Sequence, residues 1–528
     1  MRKRVLVAIC SLAVCACIIM TSAGKPALAS EEFLGGDLIV KGFVKETVMY
    51  RTSWEPGESK YHDSRVDLAL TSAYFETIYK LFKSPDWNVT WFNGVKYWYE
   101  ATTSLDDTGH DYIPHNDRKR YQQPTHFEDV LTESYLSFVN GPIDIRVGKQ
   151  IVIWGQLDTS RVADVVNPLD LRRGVPGVDN WEEIKSGLWM IRTSYKTTLP
   201  GNLIFENIIN PGFYQNLQLP YENTHWGPSF ITAGGTGFSP NNKKPGIYHW
   251  QQEKWNKDAP NGWNSDNWEL GFRLQGYTYD IDWSLIYWNA RSDGPTARVN
   301  PATAYGLNYV FPGIVAGITG GNVHPKHWDG GKVDSFKRFQ TFGGTAQTCF
   351  QNLHNSIWRL EWFVENHSPF NTGTKGSNQS LTGVTRQNIG GIAVQYNDKF
   401  EIPWWTRTVG TGSYFQLSLT YFIEHVFNMN GDICITDRNH RLGDPNMQSL
   451  SLFMMQQMFN ANWTFVFNSS YYPMIKKYFC VPTLTYTWPG EHWRTDLGYV
   501  AYGGSNNEYV GDAYAHKDSV ILRMRYEF

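Results

Sequence analysis

The chain ends in "SVILRMRYEF", residues Ser519 to Phe528, and from Val520 every second residue is apolar: Val520, Leu522, Met524, Tyr526 and Phe528. Between them stand Ile521, Arg523, Arg525 and Glu527, three of them charged. A β-strand sends successive side chains to opposite faces, so this strand has one fully apolar face and one mostly charged face. Lipid on one side and a wet lumen on the other would favour that arrangement. A soluble domain commonly lets its last residues fray into water, whereas here the pattern runs through to a terminal aromatic.

The same period of two recurs upstream. "GDLIVKGFVKETVMYRT" (Gly36 to Thr52) reads as an opening strand with Lys41 and Lys45 on one face. In "NWELGFRLQGYTYDIDWSLIYWNA" (Asn267 to Ala290), Trp268, Leu270, Phe272 and Leu274 alternate with Glu269, Gly271, Arg273 and Gln275, and the return strand sets Trp283, Leu285 and Tyr287 on a common face. Trp358, Leu360, Trp362 and Val364 alternate with Arg359 and Glu361, and Trp493, Leu497 and Tyr499 with Arg494 and Asp496. These are antiparallel strands meeting two environments. No amphipathic helix of more than three turns stands out. Polar stretches rich in Gly and Pro over 102–126, 226–266, 311–332 and 368–383 read as loops rather than strands.

The N-terminus reads as an export signal: Arg2, Lys3 and Arg4, an apolar run, then Ala27-Leu28-Ala29 in the small-x-small cleavage pattern. Residues 1–29 are expected to be removed, leaving 528 − 29 = 499 residues, 30–528, as a single barrel domain. No later run approaches the ~18 to 20 apolar residues of a spanning helix, so an exported chain of this kind is either soluble or a closed barrel. Aromatic residues make up 15% of the chain, yet mean hydropathy is −0.42, a pairing that suits aromatic girdles around a polar lumen. A Trp-rich carbohydrate-binding β-protein is the competing class. At roughly 30 residues per strand and connection, the expectation is about 16 strands (roughly 14 to 18) in an all-β, transmembrane, up-and-down antiparallel barrel of the cell outer membrane, with long outer loops. Removing Arg2, Lys3, Arg4 and Lys25 from 47 basic residues leaves 43 against 50 acidic, so nucleic-acid binding has no support. Cys349, Cys434 and Cys480 allow at most one bridge, and the absence of C-x-x-C-H excludes covalent c-type haem.

The most distinctive stretch runs from Glu133 to Phe213. It carries Glu133 and Tyr135 on one strand; Gly148, Lys149, Gln150, Trp154 and Gly155 in "GKQIVIWG"; Asp164, Asn167, Pro168 and Asp170 in "DVVNPLD"; then Arg192 and Tyr195. This combination resembles the outer-membrane family catalogued as domain of unknown function 1302, with fainter echoes across nearly the whole mature chain. The resemblance implies an outer-membrane barrel with a transport role for hydrophobic or aromatic compounds. One departure matters: members often carry an acidic residue after the W-G pair, where this chain has Gln156.

Alternation puts Asp144, Arg146, Gly148, Gln150, Val152, Trp154 and Gln156 on one face, assigned to the lumen. Arg192, Arg273, Arg359, Glu361, Arg494, Asp496, Arg523 and Arg525 are candidates to join them. Side chains of both signs on a pore wall create a transverse field and narrow the aperture; a network that only braces the wall is the plainer alternative. "ADVVNPLDLRRG" breaks the alternation. Asn167-Pro168 favours a turn that Asp164 and Asp170 can cap, which makes either a structural corner or a lumenal constriction to which Arg161, Arg172 and Arg173 add positive charge. No nucleophile elbow or comparable catalytic element occurs, "HPKH" (His324 to His327) lacks the carboxylates of a zinc site, and neither metal nor cofactor is expected. Asp106, Asp107 and Asp111 could bridge lipopolysaccharide through a divalent cation or could be a solvated loop.

Three functions stay open at this stage. The first is a porin-like channel for passive uptake of small solutes. The second is a barrel sheathing a periplasmic or secreted partner such as an electron-transfer cytochrome. An outer-membrane enzyme comes last, and the chain reads as a non-enzyme. Expected partners are outer-membrane lipid and lipopolysaccharide, the barrel-assembly machinery and a small solute. Nothing in the sequence selects a trimer over a monomer.

Overall fold

The computed structural model describes residues 31–53, 66–102, 119, 122–170, 179, 181–212, 264–292, 337–373, 381–410, 414–429, 433–434, 444–474, 476–504 and 518–528. One antiparallel sheet of 20 strands contains them; two, Glu31–Phe33 and Ile433–Cys434, are short additions, which leaves 20 − 2 = 18 strands in the wall. In chain order these are β1 (Leu38–Arg51), β2 (Val66–Lys83), β3 (Asn88–Glu100), β4 (Leu131–Asn140), β5 (Ile143–Gln150) and β6 (Leu188–Lys196). Next come β7 (Ile204–Asn210), β8 (Glu269–Thr278), β9 (Ile281–Arg291), β10 (Arg338–Phe350), β11 (Ser356–Gly373) and β12 (Leu381–Phe400). The last six are β13 (Phe415–Phe427), β14 (Asn446–Met458), β15 (Trp463–Tyr472), β16 (Lys477–Thr487), β17 (Trp493–Gly504) and β18 (Ser519–Glu527). Each pairs with the next, and β18 pairs with β1 from Phe43↔Glu527 to Arg51↔Ser519, so the sheet closes.

Eighteen strands replace the expected 16. The allowance of roughly 30 residues per strand fails in the second half, where the nine strands from Arg338 to Glu527 occupy only 190 residues. The stretch 368–383 is likewise not all loop. Ser368–Gly373 and the start of β12 pair in the ladder, after a register shift between Glu365 and Ser368.

Alternation decides which face each residue takes. On β18 Leu522 and Met524 lie exposed on the outside, 49% and 39%, while Ile521 and Arg523 are buried within, 1% and 6%. On β8 Leu270 and Phe272 face out while Glu269 and Arg273 are buried inside. Exposed apolar side chains on the outer face and polar ones within invert a soluble protein's arrangement, and that combination is stable only with lipid around the cylinder. Leu38 at the start of β1 and Glu527 at the end of β18 lie at one rim, where connections are as short as Gly141-Pro142 and Tyr279-Asp280; the long connections leave the other rim. By the rule for such barrels the short-turn rim is periplasmic. Aromatic pairs mark it, with Trp493 and Tyr526 centroids 4.9 Å apart and Trp463 and Tyr486 4.7 Å apart. Helices among the described residues are brief, the longest being Pro403–Val409, and none is long and apolar enough to cross a membrane.

Buried apolar side chains cluster inside the cylinder, where a returning segment meets the wall. One cluster joins Val152, Trp154, Met190, Ile208 and Trp288, and another Val162, Phe363, Ile389 and Phe422.

Candidate functional site

The described residues of the segment between β5 and β6 (151–170, 179 and 181–187) leave the wall and fold into the lumen. Its start is set by the "GKQ" run. Gly148 has φ +140°, and a Cβ there would lie 2.2 Å from the Ser134 carbonyl oxygen, so only glycine lets β5 approach β4 this closely. Beyond Gln150 the chain leaves the ladder with β6. The Glu133 carboxylate accepts the Ile151 N–H at 2.7 Å, giving the E-x-Y strand its part in the turn inward.

Trp154 then lies edge-on to Trp288, centroids 5.9 Å apart, and its indole N–H donates to Glu206 Oε1 at 2.6 Å. Glu206, on β7, also accepts from Arg192 Nε at 2.8 Å and Arg273 Nη2 at 3.3 Å. Arg273 stacks over Trp154 at 5.8 Å from the ring centroid. Two guanidinium groups on one carboxylate leave this corner of the lumen positive.

The second anchor is Glu361 on β11, which is fully buried. Its Oε1 accepts the N–H of Gln156 and, at 3.0 Å, that of Leu157; its Oε2 accepts Ala163 N–H at 2.8 Å. One carboxylate thus satisfies three backbone donors that the departure from the sheet leaves open. Arg359, two residues away, donates to Asp158 at 2.6 Å, and Thr159 reaches Thr420 on β13 at 2.8 Å. At Gln156 it is the backbone N–H that engages the wall, so the residue type standing after the W-G pair is not what makes this contact.

From there the chain turns back. Asn167, fully buried, accepts Val152 N–H at 2.7 Å and donates to the carbonyls of Gln150 and Ser186 at 3.2 and 2.9 Å. Arg161 donates to the carbonyls of Asp164 and Asn167 at 2.7 and 2.8 Å, while Asp164 pairs with Lys185 at 2.6 Å. The charge of Arg161 is therefore spent within the segment. Asp170 N–H donates to the Ile184 carbonyl at 2.6 Å.

The third anchor is the closing seam. Asp179 bonds to Lys45 of β1 at 3.2 Å and to Arg523 of β18 at 2.6 Å. Glu183 bonds to Lys45 at 2.5 Å and to Arg525 at 3.1 Å, and its carbonyl accepts from Lys96 of β3 at 3.0 Å. Burial, the largest single influence, opposes the charge of Glu183, but Lys45 and Lys96 with the Lys45 hydrogen bond together outweigh it and hold the carboxyl below its ordinary value of 4.5. Around the wall β11 lies six strands on from β5, and β18 five on from β13. A segment rooted at β5 and β6 that bonds to both other arcs has to cross the interior.

Of the candidate residues, the fold joins Trp154 to Arg192 through Glu206, Gln156 to Glu361, and Arg161 to Asp164 and Asn167. Gln150 is buried, donating to the carbonyls of Met190 and Arg146 at 3.1 and 3.2 Å. Arg146 stands apart with Asp144 at 3.0 Å, over the Tyr135 ring. Arg172 and Arg173 lie outside the described residues, as do Asp106, Asp107, Asp111, His324 and His327. Among the described residues no group of three or more His, Cys, Asp or Glu is placed to hold a metal ion. Sequence reasoning missed Asp158, Asp179, Glu183, Lys185 and Glu206. Glu206 alternates with Phe205 and Asn207 and was findable; the others sit in a stretch without periodicity.

A closed antiparallel sheet that is greasy outside, polar within and crossed by its own inward segment is an outer-membrane β-barrel. More particularly, the family model described as "Protein of unknown function (DUF1302)" matches residues 12–472, and the chain belongs to that family. No curated protein matches the sequence. Among solved structures it is similar to Acinetobacter baumannii OccAB4 (9% identity, TM-score 0.47, covering 93% of this chain and 98% of that one). It is also similar to Pseudomonas aeruginosa OpdK with vanillate (8%, 0.44, 93% and 98%) and to Salmonella typhi OmpF in complex with daunomycin (10%, 0.41, 94% and 100%).

Proposed function

We propose that this protein is a porin-like channel for the passive uptake of small solutes, hydrophobic or aromatic compounds among them, with its lumen narrowed by Ile151–Gly187. The observation that carries the reading is the three-point tethering of that segment inside a closed cylinder. A narrowed, charged aperture is what a selective diffusion channel needs. Burial divides the candidate residues into two roles. Gln150, Trp154, Asn167 and Glu361 are at most 2% exposed and serve as fasteners. Arg146, Arg161, Arg192 and Arg359, with side chains 33%, 19%, 20% and 18% exposed, are the ones a passing solute would meet.

Purified protein in planar bilayers tests this: stepwise conductance is expected, larger when residues 157–183 are replaced by a short Gly/Ser linker. A protein that inserts and never conducts, with or without solute, overturns the proposal.

A further inference from the structure

Between the inward segment and the β1–β3 wall lies a cavity of about 80 Å³, lined by four lysines (Lys45, Lys96, Lys149 and Lys185) and five carboxylates (Glu128, Asp129, Asp170, Asp179 and Glu183) together with Ser72 and Trp98. Three of the four ammonium groups have carboxylate partners: Lys45 bonds to Asp179 and Glu183, Lys149 to Glu128 at 3.1 Å, and Lys185 to Asp164 at 2.6 Å. Lys96 differs. Among the described residues its ammonium makes one hydrogen bond, to the Glu183 carbonyl, and no ion pair. An ammonium has three donors, so two are left over.

A second, independent group in the same cavity lacks a partner. Ser72 is 1% exposed and its Oγ makes no hydrogen bond. The register sets Ser72 opposite Lys45 on one side and Trp98 on the other, with Lys96 two residues from Trp98 on the same lumenal face. Buried donors left open cost free energy that an acceptor recovers. The acceptor that fits two ammonium N–H groups and a hydroxyl is a small anion with at least two oxygens. A single buried water needs roughly 10–15 Å³ of such volume, so the cavity has room for a carboxylate head.

We propose that Lys96 and Ser72 form a carboxylate subsite on the lumen wall, taking the head group of a small organic acid. Resting on the channel reading, it is where such an acid pauses in transit. The test is saturation-transfer NMR with sodium acetate on the full-length protein in micelles. Acetate is expected to bind, and Lys96→Met to weaken binding roughly 10- to 100-fold, the loss of a charged hydrogen-bond donor. Ser72→Ala should weaken it by roughly fivefold and Lys96→Arg should retain it, which keeps the test alive if Lys96→Met does not fold. No saturation transfer, as for a cavity that holds only water, overturns the proposal, and so does binding unchanged in Lys96→Met and Ser72→Ala. Chloride or inorganic phosphate displacing acetate at equal concentration would make the occupant an inorganic anion and also overturn it. Binding is read without conduction. Acetate binding that is lost in the variants of a non-conducting barrel would sustain the subsite and sink the channel, and a conducting barrel that ignores acetate would do the reverse.

Discussion

Glu361→Ala removes the acceptor for three backbone N–H groups at once while touching no bond of the barrel wall. A buried amide left without a partner costs about 1–3 kcal/mol. Gln156 and Leu157 share one oxygen, and lumen water recovers part of the loss, so the low end applies: about 3 kcal/mol for the three. At about 1.4 kcal/mol per factor of ten, the population with the segment detached from β11 should rise roughly 100-fold. Limited proteolysis of folded protein in micelles reads that population when reclosing outpaces cleavage. New cuts should map between Gly155 and Ala163. The heat at which the barrel unfolds on a gel should barely move, because local opening and global unfolding are separate processes. Glu361→Gln should be intermediate, since its amide nitrogen would face the Ala163 N–H as a second donor. Cleavage of Glu361→Ala at the wild-type rate would refute the assignment of this carboxylate as the fastener.

Glu206→Gln leaves Arg192 and the buried Arg273 without their shared anion. It should cost about 3–5 kcal/mol, measured as a lower unfolding temperature on heat-modifiability gels, and should shift reversal potentials towards anions. Gly148→Ala forces a side chain into a conformation at φ +140° and against the Ser134 carbonyl; a penalty of about 1–3 kcal/mol should appear as a reduced yield of folded barrel. Because the carboxyl of Glu183 is held below its ordinary value, its tether to Lys45 contributes fully above that value and is lost as pH falls below it. Conductance noise should therefore be flat from neutral pH down to the carboxylate range and rise only in more acid solution. Glu183→Gln should show the raised noise already at neutral pH.

Strand character was legible because lipid and lumen impose a period of two that no local preference can hide. Leu522 against Arg523 and Phe272 against Arg273 could be assigned to faces from spacing alone. The number of strands was less legible, since turns such as Tyr279-Asp280 take only two residues while 211–268 spends more than fifty on one connection. The break in alternation after Trp154 was visible, and Asn167-Pro168 announced a turn. Which wall residues would receive that segment was not. Glu361 looked like any inward carboxylate, and its partners are main-chain amides, which leave no trace in a sequence. Asp179 and Glu183 find Lys45, Arg523 and Arg525 across separations of 134 to 344 residues, and only closure of the cylinder brings them together.

Asp179 touches the first strand and the last. Those two strands form the seam that closes the cylinder, and their edges are the ones that would part if it sprang open there. A single carboxylate gripping both from within acts as a clasp across that join. The clasp has nothing to hold until Arg523 lies beside the first strand, so this anchor, unlike those at Glu206 and Glu361, exists only where the seam is closed.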